Sequence, residues 1–364
     1  MKRAVVTHVL ISGVVLVAIV IGFLAWVFIF PTRFPARTVS DISTTVIPRS
    51  TIDQSHVQYL DATDGIRLAY RAYVPTNPVA IVVFYHGSGA NSGAGYVPIG
   101  ETLSQRYDIA TYLPDIRGHG LSGGDRGDTP TVQQIYTDAT SLIQGIRRQY
   151  PTTPLFLGGH SAGAGLVIDY ANSPNHELVT GYLFVCPDFG RKSNTVRLQG
   201  PSSFISVITK PFVVNAITRG LLMAHTYALR FNYSKEALQS GAGLIQYNTV
   251  DMALALNPQK PGHELAAIDR PFGLWIGAND EVMYPDRIVA YAQHATRVIS
   301  ISQVEIVPGE THLSILSSIA SRIGPWVKDH AIARTLPSSP MTDLISHGSS
   351  RASPDALRAL ASTP

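Results

Sequence analysis

The chain has 364 residues, of which 45% are hydrophobic and only 15% charged, with a formal net charge of +3. That charge is too small to argue for nucleic acid, and no basic run interleaved with aromatics is present to recruit one. A single cysteine, Cys186, excludes an intrachain disulfide framework and a multi-cysteine metal site; it ends an apolar run and reads as a small buried filler.

Lys2 and Arg3 precede Val9 to Phe30, twenty-two residues without a charge. As a helix this run reaches about 33 Å, enough for the ~30 Å hydrocarbon core of a bilayer. Trp26 and Phe30 fall where interfacial aromatics sit. A cleaved signal would have a shorter apolar region followed by small residues, whereas Phe30-Pro31-Thr32-Arg33 follows here. Residues 1–31 are therefore expected to form a single-pass membrane anchor helix. Lys2, Arg3 and the α-amine before the span, against Arg33 and Arg37 after it, favour a cytoplasmic N-terminus and place the remaining chain on the periplasmic or extracellular side.

Residues 32–55 read as a polar tether. His56–Asp61 and Ile66–Tyr73 are short amphipathic runs joined across Asp64-Gly65, a hairpin signal. Ile81–Tyr85 is a continuous apolar run of the kind buried on both faces, and it ends in His86-Gly87-Ser88-Gly89. A helical pattern over Tyr96–Tyr107 separates it from the strand Ile109–Leu113. A long helix is expected from Thr129 as N-cap, with Pro130 at the first helical position, to Arg148. Leu155 opens a strand that runs into Gly159-x-Ser161-x-Gly163; a helix to Ala171 and the strand Tyr182–Cys186 follow. This alternation predicts an α/β fold with a mostly parallel central sheet and helices on both faces.

From Phe189 to Ala266 the rhythm breaks into apolar helical stretches with no clear strand, carrying eight Lys/Arg against three acids. Residues 189–266 are expected to form a helical cap inserted into a core made of 56–188 and 267–332. The alternation resumes with the strand Phe272–Gly277, the helix Pro285–Ala295, the strand Val304–Val307 and an amphipathic helix over Ser314–Val327. The Ser/Pro/Ala-rich tail, residues 333–364, lacks a core pattern and is expected to be disordered.

The strand-to-helix turn at Ser161 has the layout of a nucleophile elbow, in which flanking glycines permit a tight, strained turn that exposes the serine hydroxyl. A serine needs a base within hydrogen-bond reach, and the base needs a carboxylate to orient it. Asp280 and His312 follow Ser161 in chain order, each in a loop just after an expected strand. Glu281 is a rival carboxylate, and Asp286 is a better N-cap of the following helix. His312 is preferred because it alone follows the last strand; His160 is expected to point away from the serine, and His86 and His119 sit in glycine-rich loops. The oxyanion formed on attack needs preorganised donors, the backbone N–H of Ala162 and a second from the loop after Tyr85, best supplied by Ser88. No HExxH, no phosphate-cradling loop and no dinucleotide fingerprint occurs, so no metal or organic cofactor is implied.

Five motifs carry a resemblance: Tyr85-His86-Gly87-Ser88-Gly89, Asp115-x-Arg117-Gly118-His119-Gly120-x-Ser122, Gly159-His160-Ser161-Ala162-Gly163, Gly277-x-x-Asp280 and Gly309-x-x-His312. Together they resemble the α/β-hydrolases, and more narrowly the monoacylglycerol lipase/lysophospholipase branch, the serine aminopeptidase S33 family, over residues 56 to 330. The resemblance implies a serine hydrolase with Ser161, Asp280 and His312 as triad, Ser88 and Ala162 as oxyanion donors, a helical cap over an acyl-chain pocket and no cofactor. The elbow departs from the branch in reading Ser161-Ala162-Gly163-Ala164 where Ser-Met-Gly-Gly is usual. A membrane-anchored esterase of a monoacylglycerol or lysophospholipid is the expected function. An aminopeptidase or amidase of the same fold and a non-catalytic binding protein are the alternatives.

Overall fold

The computed structural model describes residues 2–29, 33–34, 54–197 and 203–335. Most of the expected tether, Phe30, Arg37 and the tail beyond Thr335 lie outside the described residues. Helix α1 (Lys2–Ile29) contains one apolar stretch, Ile11–Ile29, long enough to cross a membrane, with a mean hydropathy of 2.7. The hairpin β1 (Val57–Asp61) and β2 (Arg67–Tyr73) pairs antiparallel around Asp64-Gly65, and β3 (Ala80–Tyr85) is buried throughout. Then follow α2 (Val97–Tyr107), β4 (Ile109–Pro114), α3 (Val132–Gln149), β5 (Leu155–His160), α4 (Ala162–Tyr170) and β6 (Gly181–Val185).

An inserted segment holds β7 (Ile205–Val207), α5 (Thr209–Ile217), β8 (Tyr227–Phe231), α6 (Lys235–Leu238), β9 (Tyr247–Thr249), α7 (Val250–Ala255) and α8 (Pro261–Ala267). The alternation closes with β10 (Phe272–Gly277), α9 (Pro285–Ala295), β11 (Gln303–Val307) and α10 (Ala320–Thr335).

The main sheet has the order β1-β2-β4-β3-β5-β6-β10-β11, antiparallel at the β1/β2 and β2/β4 pairs and parallel elsewhere. The inner strands read as unbroken apolar runs because helices cover both faces. From β3 the chain crosses one way to β4 and then returns past β3 to β5. Right-handed crossovers that reverse direction put α2 and α3 on opposite faces and open a crevice between the carboxyl ends of β3 and β5. Ser88 leaves one of those ends and Ser161 the other.

Three expectations change. The inserted segment is not all helical: β7, β8 and β9 form a three-stranded antiparallel sheet. The β-branched Ile205 and Val207 alternate around Ser206, and Leu229 and Phe231 around Arg230, a period of two that the surrounding apolar residues hid. Helix α3 is capped by Thr131, whose hydroxyl accepts the Gln134 amide at 3.2 Å, and not by Thr129; Thr131-x-x-Gln134 has the capping-box spacing. The last helix starts at Ala320 after a 3-10 turn, tolerates Pro325 and runs to Thr335.

The insertion is tied down where the crevice lies. Tyr233 Oη donates to the Ser88 carbonyl at 3.1 Å, the Ile245 amide to the Gly89 carbonyl at 2.9 Å and the Thr249 amide to the Gly127 carbonyl at 3.0 Å. It also meets α1: Lys210 Nζ donates to the carbonyls of Trp26 (2.8 Å) and Val27 (3.0 Å) in the last turn of that helix, where a cation complements the dipole.

Arg117, buried beyond β4, fastens the hairpin to α3. Its guanidinium meets Asp138 through Nε and Nη2 (both 2.8 Å) and Asp64 through Nη1 (2.8 Å) and Nη2 (3.0 Å). Removing it leaves the Asp138 carboxylate buried without a counter-charge. Arg117→Ala is expected to destabilise the fold by about 3–5 kcal/mol, read from a urea midpoint at unchanged slope; a loss below about 1 kcal/mol would show that the hairpin is held by other contacts.

Candidate active site

Ser161 stands between β5 and α4 with φ 55° and ψ −122°, a conformation a non-glycine residue holds only when its surroundings force it. The force is steric. A Cβ on Gly159 would lie 2.3 Å from the Gly163 carbonyl carbon, and one on Gly163 would lie 2.5 Å from the His86 oxygen and 2.6 Å from the Tyr85 oxygen. The elbow thus brings α4 against the end of β3, as the sequence requires of both glycines. The Ser161 side chain makes no capping bond to its own helix, so its hydroxyl stays available.

Ser88 lies in the loop after β3, and Ala162 opens α4. Among the described residues neither amide donates to a carbonyl of a turn or loop, and Ala162 is the first residue of α4, where an intrahelical partner is lacking.

His312 follows β11, and Asp280 follows β10. Nδ1 of His312 is 2.8 Å from Oδ2 of Asp280, both side chains being buried. Asp280 Oδ1 accepts the amides of Val282 (2.8 Å) and Met283 (2.6 Å), which fixes the carboxylate plane. Burial opposes charge on Asp280, but His312 and the two amides outweigh it and hold the carboxyl below its ordinary range. Burial likewise opposes charge on His312; the Asp280 carboxylate, with Glu281 and Asp188 beyond it, outweighs burial and raises the imidazole pKa above its usual value. With Nδ1–H on Asp280, Nε2 is the ring nitrogen left to accept a proton.

Glu281, the rival carboxylate, turns instead to the backbone: its Oε2 accepts the His312 amide at 2.9 Å. Asp286 is not the N-cap of α9; Tyr284 occupies that position, Pro285 is the first helical residue and Asp286 sits in the first turn.

Two groups the sequence did not single out complete the surroundings. Tyr96 Oη accepts the Gly87 amide at 2.8 Å and lies 2.9 Å from His160 Nδ1, and His160 Nε2 lies 3.0 Å from the His312 carbonyl. The His312 carbonyl fixes the direction, since it can only accept: the neutral His160 carries its proton on Nε2 and donates to His312, which leaves Nδ1 to accept from the Tyr96 hydroxyl. Burial, then the proximity of His312, pushes the His160 pKa down to about 3, so it stays neutral. His160 therefore points away from the serine, as expected, into a relay joining the Ser88 loop to the His312 loop. No spacing rule marks Tyr96; it is found only once α2 is folded.

Asp188 follows β6, and the rule that chemistry gathers at carboxyl ends of strands would have flagged it. Its amide donates to the Ser161 carbonyl at 3.1 Å.

Cys186 is buried and its thiol is pushed well above the ordinary range by burial and the Asp280 charge. Donor atoms of His160, Cys186 and His312 lie within 4.8 Å of one another, but both nitrogens of His160 and Nδ1 of His312 are already hydrogen-bonded; a metal would have to displace those bonds.

A cavity of about 240 Å³ runs from Ser88 and Asp188 into the insertion, walled by Val207, Phe212, Leu229 and Leu254. A wider open groove of about 680 Å³, between β2 and the end of α3, touches none of these residues.

Comparison with known proteins agrees with the fold. The sequence model of the serine aminopeptidase S33 family matches residues 76–315. A monoacylglycerol lipase of Mycolicibacterium smegmatis is 33% identical over 110 residues, 29% of this chain and 38% of the relative. The human monoglyceride lipase is 30% identical over 145 residues, 38% of this chain and 46% of the relative. The chain thus spans less than half the length of these curated relatives. Among solved structures, a soluble variant of monoglyceride lipase from Saccharomyces cerevisiae superposes with a TM-score of 0.58 at 15% identity, covering 80% of this chain and 98% of that one. The monoacylglycerol lipase of Paleococcus ferrophilus gives 0.52 at 20%, covering 72% and 99%. At such identities the likeness is one of fold.

Tyr96→Phe would leave the Gly87 amide and His160 Nδ1 buried without partners. It is expected to cost roughly 1–3 kcal/mol of stability, seen as a lowered thermal midpoint; an unchanged midpoint would mean that the relay contributes nothing to the fold.

Proposed function

Because the chain belongs to the serine aminopeptidase S33 family of α/β-hydrolases, we propose that it is a membrane-anchored serine hydrolase cleaving carboxylic esters of a lipid-like substrate, of monoacylglycerol or lysophospholipid type. The observation that carries this reading is the 2.8 Å pairing of His312 Nδ1 with Asp280 beside a strained serine elbow.

Ser161 Oγ attacks the ester carbonyl while His312 Nε2 takes its proton, and Asp280 holds the imidazole and stabilises the imidazolium. The oxyanion is held by the N–H groups of Ser88 and Ala162 at the N-terminus of α4. Collapse expels the alcohol with the proton from His312, leaving an acyl-enzyme. Water then attacks with His312 as base, and the fatty acid departs. No step requires a metal or an organic cofactor.

The substrate class follows from the apolar walls of the cavity and from the monoglyceride lipases among the relatives. The anchor follows from α1, with the N-terminus cytoplasmic and the hydrolase domain on the periplasmic or extracellular side. The contact of Lys210 with the end of α1 holds α5 near the bilayer, and α5 and the turn after it carry exposed Val213, Ile217 and Leu221 at helical spacing. In this reading α1 anchors the chain, the inserted segment within 189–266 covers the site, and 56–188 with 267–332 form the core.

Two outcomes are expected of the full chain in detergent. It should hydrolyse p-nitrophenyl esters with rates rising from two-carbon to longer acyl groups, and Ser161→Ala should abolish turnover in folded protein; activity surviving Ser161→Ala would remove the serine mechanism. Because the base must be neutral and its pKa is raised, kcat/KM should fall on acidification with a midpoint above 6.5, the ordinary histidine value. A midpoint at or below 6.5 would separate His312 from the proton transfer.

A further inference from the structure

Asp188 sits in the cavity wall beside the candidate nucleophile; its charge is one of those that raise the His312 pKa, and it touches no reacting atom in the mechanism above. It is 94% buried, with 6% of its surface exposed. Its amide is tied to the Ser161 carbonyl at 3.1 Å, so its position is set by the elbow itself. Its Oδ1 accepts the Gly190 amide at 2.8 Å. Among the described residues Oδ2 has no hydrogen-bond partner, yet it is not one of the fully enclosed unpartnered atoms; its remaining surface belongs to the cavity that Ser88 also lines. Arg191 and Lys192 line the same cavity, and among the described residues neither forms an ion pair with Asp188.

A carboxylate so placed conflicts with a wholly hydrocarbon ligand. Methylene groups packed against it would strip its remaining water and return nothing, whereas a donor on the ligand would satisfy it. A hydroxyl and an ammonium are both donors, but Arg191 and Lys192 make the approach unfavourable for a cation. Asn257 and Gln259 on the same wall add neutral polar partners suited to a hydroxylated group.

We propose that Asp188 is a specificity residue whose free oxygen accepts a hydrogen bond from a substrate hydroxyl close to the ester, so that hydroxylated esters are preferred over plain alkyl esters. The proposal rests on the esterase reading and names the polar group its substrate carries. The hydroxyl can belong to the alcohol half, as in a glycerol ester, or to the acyl half, as in a 3-hydroxyacyl ester.

The test uses the full chain in detergent and four butyryl-type esters: propyl butyrate, 1-monobutyrin, propyl 3-hydroxybutyrate and propyl 3-aminobutyrate. At least one hydroxylated ester is expected to exceed propyl butyrate in kcat/KM by about 10–100-fold, mostly through KM, as for a hydrogen bond to a charged group. Which ester does so identifies the half that carries the hydroxyl. Asp188→Asn, which retains an oxygen for the Gly190 amide, should cut that ratio at least tenfold. As a check needing no variant, where 1-monobutyrin is the preferred ester, 1-O-butylglycerol should inhibit propyl butyrate hydrolysis by the native chain far better than butyl propyl ether. Equal rates on all esters by the native chain, a ratio that survives Asp188→Asn, or a preference for the amino ester would overturn the proposal while leaving the esterase reading intact. Hydrolysis of none of the four, with the longer p-nitrophenyl esters also left intact, would overturn the esterase reading, and this one with it.

Discussion

The close approach of α4 to the ends of β3 and β5 is the constraint on which the rest of the site depends. It forces Ser161 to φ 55°, and it is possible only because neither Gly159 nor Gly163 carries a side chain. The strain is sustained by fully buried elements: β3, β5 and β6 are buried throughout, and all but one residue of α4 is buried. Once the elbow is fixed, its neighbours follow. The Ser161 carbonyl receives the Asp188 amide, its amide pairs with the Val185 carbonyl, and the loop after β3 is pressed against α4 with Ser88 at its tip. A turn that is costly in isolation therefore organises three strand ends.

What the sequence discloses follows from how local the cause is. The inner strands were legible because burial on both faces writes itself as an unbroken apolar run, and Asp64-Gly65 because a turn residue acts within its own few neighbours. The pairing of Asp280 with His312 was legible too, since fold order and strand ends restrict both positions to short loops. The small sheet of the insertion was not. Its strands are three to five residues long, too short for a period of two to stand out beside apolar helices. Tyr96 and Glu281 were equally hidden: Tyr96 meets His160 sixty-four residues away, and Glu281 serves a backbone amide, which leaves no trace in residue type.

The insertion does more than roof the crevice. By receiving the Ser88 carbonyl on Tyr233 and the Gly89 carbonyl on Ile245 it takes up two carbonyls of that loop and holds its backbone in place. In the proposed mechanism such a fixed backbone needs no reorganisation when charge develops at an oxyanion. The same element touches the last turn of α1 through Lys210, so the apolar N-terminal helix and the wall of the cavity share one helix, α5, which also supplies Phe212.

His160 and His312 show how two adjacent histidines can be given opposite tasks. Their ring centroids are 4.7 Å apart and both are buried, so burial alone would keep both neutral. What separates them is the carboxylate. Asp280 lies on Nδ1 of His312 and makes a positive charge tolerable there, whereas His160 faces a tyrosine hydroxyl and a carbonyl, neither of which carries a charge. A proton on His312 then disfavours a second one next door, and the neutral His160 keeps the tautomer that supports the His312 carbonyl. The environments drive the two pKa values apart in opposite directions, the pattern expected if the proposed mechanism uses His312 as its proton carrier and His160 only as its mount.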